Sequence, residues 1–253
     1  MKRTGSNVSQ PKPMRFGRPQ FVVMAALALL AMVSLPPAAE GAAGARPPAE
    51  NAGLPLLFHE DFSDGDKALS RFEFTDPSAW KVTKDKVDRQ ERNVLCETKI
   101  VMPRGDIPRG PGGRAWIKDL AVGAFVMEVK LRSTVKDYPH RDMILLFAGN
   151  DPSHLMYVHL GKIADPHCNS IFLVDGKDRV SVATRTTKGT DWDDNYHVAR
   201  LVRTAGGHTE VFWDGKSVMT SDDKTIMTGR LGAGSFDDTG NIAEITVWGV
   251  KAK

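Results

Sequence analysis

The stretch HRDMILLFAGNDPSHLMYVHLGKIADPHCNSIFLVDGKDR, residues 140–179, decides the fold. It holds three short apolar runs, at 143–148, 155–160 and 171–174, bounded by Gly, Asp, Asn and Pro. Runs this short with such boundaries are read as β-strands, because an amphipathic helix needs about ten residues or more at a 3.6-residue period. Run 143–148 is apolar on both faces, as expected of a central strand between two packed layers. Within 155–160, a period of two puts Leu155, Tyr157 and His159 on one face and Met156, Val158 and Leu160 on the other. Taking the aliphatic face as the core, Tyr157 and His159 are expected to point into a groove.

The pattern continues in both directions. Strands are predicted at 56–60, 80–83, 94–101, 125–133, 180–184, 196–203, 208–213, 217–220, 229–235 and 243–250. In 125–133, Phe125, Met127, Val129 and Leu131 alternate with Val126, Glu128, Lys130 and Arg132, which predicts one core face. Turns are marked by Asp175-Gly176-Lys177-Asp178, Gly206-Gly207, Asp214-Gly215 and the six residues 236–241, FDDTGN. Hardly any stretch keeps a helical period over three turns. A chain of this kind is an all-β antiparallel sandwich or barrel.

Residues 1–20 carry Lys2, Arg3, Lys12, Arg15 and Arg18 with no acid, and 21–35 is an uncharged, apolar run with Ser34 its one polar residue, followed by Pro36, Pro37 and small residues. This is the layout of a secretory signal peptide, expected to span 1–45, and it predicts a secreted or periplasmic protein; a retained anchor is the rival reading. Without those residues, five of the 34 Lys and Arg and one of the 31 Asp and Glu are gone, leaving 29 against 30. The basic character thus belongs mainly to the leader, and the mature surface has no footprint for nucleic acid. No membrane contact is expected after leader cleavage. Residues 46–55 are rich in Pro, Ala and Gly and read as a linker, so a single folded domain is expected at 56–253. Cys96 and Cys168 would reach a compartment that permits a disulfide, but a bridge and two buried thiols remain equally open. The oligomeric state is not legible.

Several C-terminal motifs carry a resemblance: Trp192 followed by Tyr196-His197-Val198, the run 209–215 (TEVFWDG), and Gly229-Arg230-Leu231-Gly232 through Gly240. Together with the opening Glu60-Asp61-Phe62, these resemble concanavalin A-like jelly rolls over about residues 56–250. Within that superfamily the chain looks most similar to secreted bacterial laminin-G-like domains and the 3-keto-disaccharide hydrolase domain, loosely called glycosidase family 16-like. The resemblance implies a two-sheet antiparallel jelly-roll sandwich whose concave face binds a poly- or oligosaccharide. It specifies a fold much better than an activity.

The residues themselves supply candidates for that face. Tyr157 and His159 share a strand face, His140 and Arg141 precede one central strand, His167 and Asn169 precede another, and Arg179 opens a fourth. Imidazoles, a phenol, an amide and guanidinium groups can donate to sugar hydroxyls and neutralise a carboxylate or sulfate. Trp192, with Trp116, is a candidate stacking platform or a core residue. The plain alternative is that each His or Tyr is an ordinary hydrogen-bonded strand residue. His154 reads as a loop cap, and His59, His197 and His208 as scaffold or surface.

Noncatalytic carbohydrate binding leads, and a glycan-degrading enzyme is the runner-up. A lyase would use Arg141 or Arg179 to neutralise a uronate, His159 as base and Tyr157 as acid. A glycoside hydrolase needs two carboxylates flanking the bond, and the Glu-x-Asp-x-x-Glu pattern is absent. A third reading, a protein-contacting laminin-G-like module, predicts a shallow apolar groove. No cofactor is certain; a structural calcium would use hard oxygen ligands such as Asp61 and Asp237, unless these acids only make turns.

Overall fold

The computed structural model describes residues 46–102, 105 and 107–252; the expected signal peptide lies outside the described residues. In chain order the strands are β1 (Glu50–Asn51), β2 (Leu54–Glu60), β3 (Phe72–Phe74), β4 (Trp80–Val87), β5 (Gln90–Glu97), β6 (Gly113–Ser133), β7 (Asp142–Asp151) and β8 (His154–Gly161). They continue as β9 (Ser170–Asp175), β10 (Val180–Ser181), β11 (Arg185–Thr186), β12 (His197–Arg203), β13 (Thr209–Trp213), β14 (Lys216–Ser221), β15 (Gly229–Ser235) and β16 (Gly240–Lys251). Two short 3-10 turns, Gly65–Arg71 and Pro77–Ala79, are the helical elements among the described residues.

The 21-residue β6 organises the two layers. Its first half pairs with β3 and β15, and its second half with β12 and β16. One layer therefore runs β10-β9-β8-β7-β15-β6-β3, and the other runs β11-β14-β13-β12-β6-β16, with β16 continuing to β2 and to β5-β4. Every pairing is antiparallel, and the continuous sheet curls into the two-sheet jelly-roll sandwich expected from the sequence. Between the halves of β6 the register against β15 jumps: Trp116 faces Gly232 but Ala121 faces Arg230, so Ile117–Leu120 bulge out. Asp119 sits there at φ +56°. A bulge bends a strand and lets it leave one layer for another. The exposed Lys118 and Asp119 also break the alternation, which is why only the second half of β6 reads as a strand in sequence.

The core lies between the layers. Met143, Leu145 and Phe147 of β7 and Met156, Val158 and Leu160 of β8 meet Phe125, Met127, Val129 and Leu131 of β6 and Ile245 and Val247 of β16. Each such side chain contributes about 1.5–3 kcal/mol on burial. The alternation predicted for 125–133 and 155–160 is the one observed. On the opposite face of β7 and β8, Ile144, Leu146, Leu155 and Tyr157 join Trp116, Phe172, Val174 and Phe236 in a second, smaller apolar cluster.

The chain enters the sheet earlier than expected. The 46–55 linker is a correction: β1 pairs with the start of β2, Leu56 N–H donates to Ala49 C=O, and Trp248 Nε1–H donates to Pro48 C=O. Ala52 and Gly53, at φ +53° and +75°, make a tight hairpin between β1 and β2, and the backbone bonds that anchor it leave no compositional trace. Cys96, in β5, and the buried Cys168 are both free thiols.

Candidate functional site

The site grows from one strand pair. β7 and β8 place Ile144 opposite His159 and Leu146 opposite Tyr157, while β9 places Phe172 opposite Tyr157 and Ser170 opposite His159. Tyr157 is fully buried; its ring stacks on Phe172 at 5.3 Å and lies 6.3 Å from Phe236. His159 stacks on Phe236 at 5.3 Å and 20°. Phe236 opens the connection from β15 to β16, so the turn-rich loop 236–239 covers this face of the sheet.

Asp142 ties that loop down. Its Oδ1 accepts the Phe236 N–H at 3.0 Å, and its own N–H donates to Asp238 Oδ2 at 2.9 Å. The Tyr138 hydroxyl donates to Asp238 Oδ1 at 2.6 Å. The other Asp142 oxygen forms an ion pair with His159 Nε2 at 3.1 Å, with both residues buried. Burial alone would push the imidazole down, but the Asp142 carboxylate more than offsets it and raises His159 to about 10. His159 is thus held as an imidazolium at neutral pH.

Further carboxyls crowd beneath it. Burial raises Asp238 to about 6, reinforced by the charge of Asp142. The buried Glu97 rises to about 8, chiefly through desolvation. It fits there because residue 113 is glycine: a Cβ at Gly113 would lie 1.7 Å from Glu97 Oε1.

Above this layer lies a cavity of about 400 Å³, lined by Arg109, His140, Asp142, His159, His167, Asp178, Arg179, Phe236 and Asp237. A second cavity of about 330 Å³ shares Arg109, Asp178, Phe236 and Asp237 and extends past Ile107 to Met102, so the two form one groove. Arg109 N–H donates to Asp178 Oδ1 at 2.9 Å and Arg179 N–H to Arg109 C=O at 3.1 Å, which lays residue 109 across the β9–β10 turn. Arg179 Nη1 donates to the Tyr157 hydroxyl at 2.9 Å, and its guanidinium lies 3.9 Å from the Phe236 ring centroid and 4.9 Å from that of Phe172. Arg109 lies 5.8 Å from the same Phe236 ring. His140 at the rim pairs with Asp165 at 2.8 Å. Burial and the charge of Asp142 raise the pKa of Asp237.

Of the predicted residues, His140, His159, His167, Arg179 and Asp237 line the groove. Tyr157 supports it from below, its hydroxyl committed to Arg179. Arg141 does not reach it: the buried guanidinium donates to Ser133 C=O and Asp194. Because Arg141 and Asp142 are adjacent, alternation sends them to opposite faces. Asn169 is buried at φ +52°, a conformation Asn tolerates, and its Nδ2–H donates to Thr187 C=O. Trp192 is a core residue, with Nε1–H donating to Leu160 C=O and the indole packed edge-on to Trp213 at 4.6 Å. Only 3% exposed, it has no free face for a sugar. Trp116 is likewise buried in the smaller cluster.

The calcium expectation for Asp61 and Asp237 does not fit the geometry. Asp61 accepts the Ser63 N–H in a turn beside β2, whereas Asp237 faces Asp142, His159 and two arginines. Among the described residues no group of three or more His, Cys, Asp or Glu is placed to hold a metal ion. His154 pairs with Asp151, as a loop cap would.

Sequence reasoning missed Arg109, Asp178 and Phe236 as site residues. Arg109 sits between Pro108 and Gly110-Pro111-Gly112, a stretch with no strand signal, and its partner Asp178 lies in a turn far along the chain.

These features define a two-sheet antiparallel β-sandwich of the jelly-roll class, with a polar groove on one face. No protein-family model matches the chain, and no curated protein matches it. Among solved structures it is similar to domain 4 of a GH43 extracellular arabinanase from Geobacillus stearothermophilus, solved with arabinotriose: TM-score 0.52, 10% identity, covering 78% of this chain and 94% of that one. A carbohydrate-binding module from Bacillus subtilis aligns at TM-score 0.49 and 11% identity over 70% of this chain and 95% of its own. A Bacillus subtilis protein of unknown function with a galectin-like fold aligns at 0.49 and 10%, over 78% and 97%. At such identities the likeness is one of fold.

Proposed function

We propose that this protein is a secreted carbohydrate-binding jelly roll that holds a poly- or oligosaccharide in the groove between residues 109, 140, 167, 179 and 237. One observation carries the reading: eight of the nine residues lining the 400 Å³ cavity have charged or hydrogen-bonding side chains, yet the cavity sits over an apolar cluster on a sandwich sheet. Sugars present hydroxyls at their edges and C–H groups on their faces, so a polar wall held by an apolar floor suits them. The arabinotriose-bound domain with a similar fold supports the choice of ligand class. The laminin-G-like and 3-keto-disaccharide hydrolase resemblance points the same way, although the polar lining disfavours a protein-contacting module.

The test is a glycan array probed with the parent protein and with a His167→Ala, Asp178→Ala double variant. Both side chains are on exposed residues and leave the core untouched. Loss of the parent's glycan signals supports the groove; identical signals from the variant exclude it.

A catalytic reading draws on Asp178 and Asp237, two carboxylates that line both cavities where they join. Asp237, with its raised pKa, would be the proton donor. New reducing ends on a polysaccharide panel, lost in Asp237→Asn, would establish a hydrolase.

A further inference from the structure

Two guanidinium groups on the groove wall make no contact ion pair among the described residues, although the Asp237 carboxyl nearby feels the charge of both. Arg71, Arg92, Arg132, Arg141, Arg200 and Arg230 each make an ion pair within the domain. Arg109 and Arg179 make none among the described residues, although both line the cavity. The neighbouring acids are differently engaged: Asp142 with His159 and the Phe236 N–H, and Asp178 with the Arg109 N–H. Asp237 is the remaining carboxylate on the wall.

Arg179 is also held in place. The buried Tyr157 hydroxyl takes one Nη1–H, and the rings of Phe236 and Phe172 support the guanidinium plane. A flexible arginine fixed at one edge keeps its other donors in a defined plane, and little rotamer entropy is left to lose on binding. Arg109, beside the same phenyl ring, supplies a second fork.

We propose that these two arginines recognise the carboxylate of a uronic acid residue, so that the saccharide bound in this groove is an acidic one. The inference rests on the carbohydrate-binding reading above and deepens it. The planar guanidinium fork matches a carboxylate in two parallel hydrogen bonds. Tyr157 acts as a positioning residue, touching Arg179 rather than the sugar.

Isothermal titration of the purified protein tests this with three probes: oligogalacturonate, the same oligosaccharide with its carboxyls reduced to alcohols, and a sulfated neutral oligosaccharide. The oligogalacturonate is expected to bind about tenfold or more tighter than its reduced form, in line with charge-assisted bonds. Arg179→Gln abolishes that ratio, and Tyr157→Phe, which deletes one oxygen and keeps the packing, reduces it. Equal binding of acidic and reduced probes by the parent overturns the uronate assignment while leaving the carbohydrate groove intact. A preference for the sulfated probe overturns the carboxylate assignment. An unchanged ratio in Arg179→Gln removes Arg179 from the recognition. Absence of binding by all three, together with a blank glycan array, overturns both the assignment and the groove reading.

Discussion

Arg179 Nη1 donates a hydrogen bond to the fully buried Tyr157 hydroxyl at 2.9 Å. The hydroxyl is the one polar atom of a side chain otherwise packed against Phe172 and Phe236. A tyrosine that faces the groove side of its strand is thereby converted from a ligand contact into a brace. Removing the hydroxyl in Tyr157→Phe is expected to cost about 1.5–3 kcal/mol of stability, the range for a hydrogen bond to a charged group. Chemical denaturation with an unchanged m-value will check it.

The His159–Asp142 ion pair links stability to pH. The folded-state value of His159 is about 10, above its ordinary 6.5. Its contribution is therefore complete below pH 6.5 and is lost as the pH rises through 10. Thermal unfolding measured from pH 6 upward should show a falling midpoint in the parent. Asp142→Asn should lower stability at pH 6 by about 3–5 kcal/mol, as expected when one partner of a buried pair is removed, and flatten the alkaline decline.

Glu97 works in the same direction over a lower window. Its folded-state value, about 8, exceeds the ordinary 4.5, so its contribution is complete below pH 4.5 and is lost as the pH rises through 8. Glu97→Gln keeps the shape and removes the titration. The variant should be more stable than the parent at pH 8 by roughly 1 kcal/mol or more, and the gap should close toward pH 4.5. Parallel curves for the two proteins would contradict this.

Trp192 provides a control for the groove assignment. Because its indole fills the core beside Trp213 and bonds to Leu160 C=O, Trp192→Ala should cost about 3–5 kcal/mol. Below its unfolding midpoint the variant should retain the parent's glycan affinity, measured by titration. A selective loss of affinity in a stably folded variant would place this indole in recognition after all.

Cys96 and Cys168 should remain separate thiols. Two equivalents of thiol are expected in denaturant without reductant, and reductant should leave the melting temperature unchanged.

The strand periods alone determined the fold class. The alternation of Phe125 to Leu131 and of Leu155 to Leu160 settled which side chains face the core, since a strand has only two faces and one slip would bury every polar partner. The same alternation put Tyr157 and His159 on the groove side. It did not reveal that Tyr157 lies beneath Phe236, because that ring arrives from a loop 79 residues further along the chain. Nor did it separate Arg141 from Asp142 in function, although their adjacency implied opposite faces. Arg109 and Asp178 carried no local signal, since a loop side chain acquires a partner only where the fold brings two segments together. Periodicity is local and survives in one dimension; the groove is made by contacts between distant segments, and only tertiary structure decides which charges meet and which remain for a ligand.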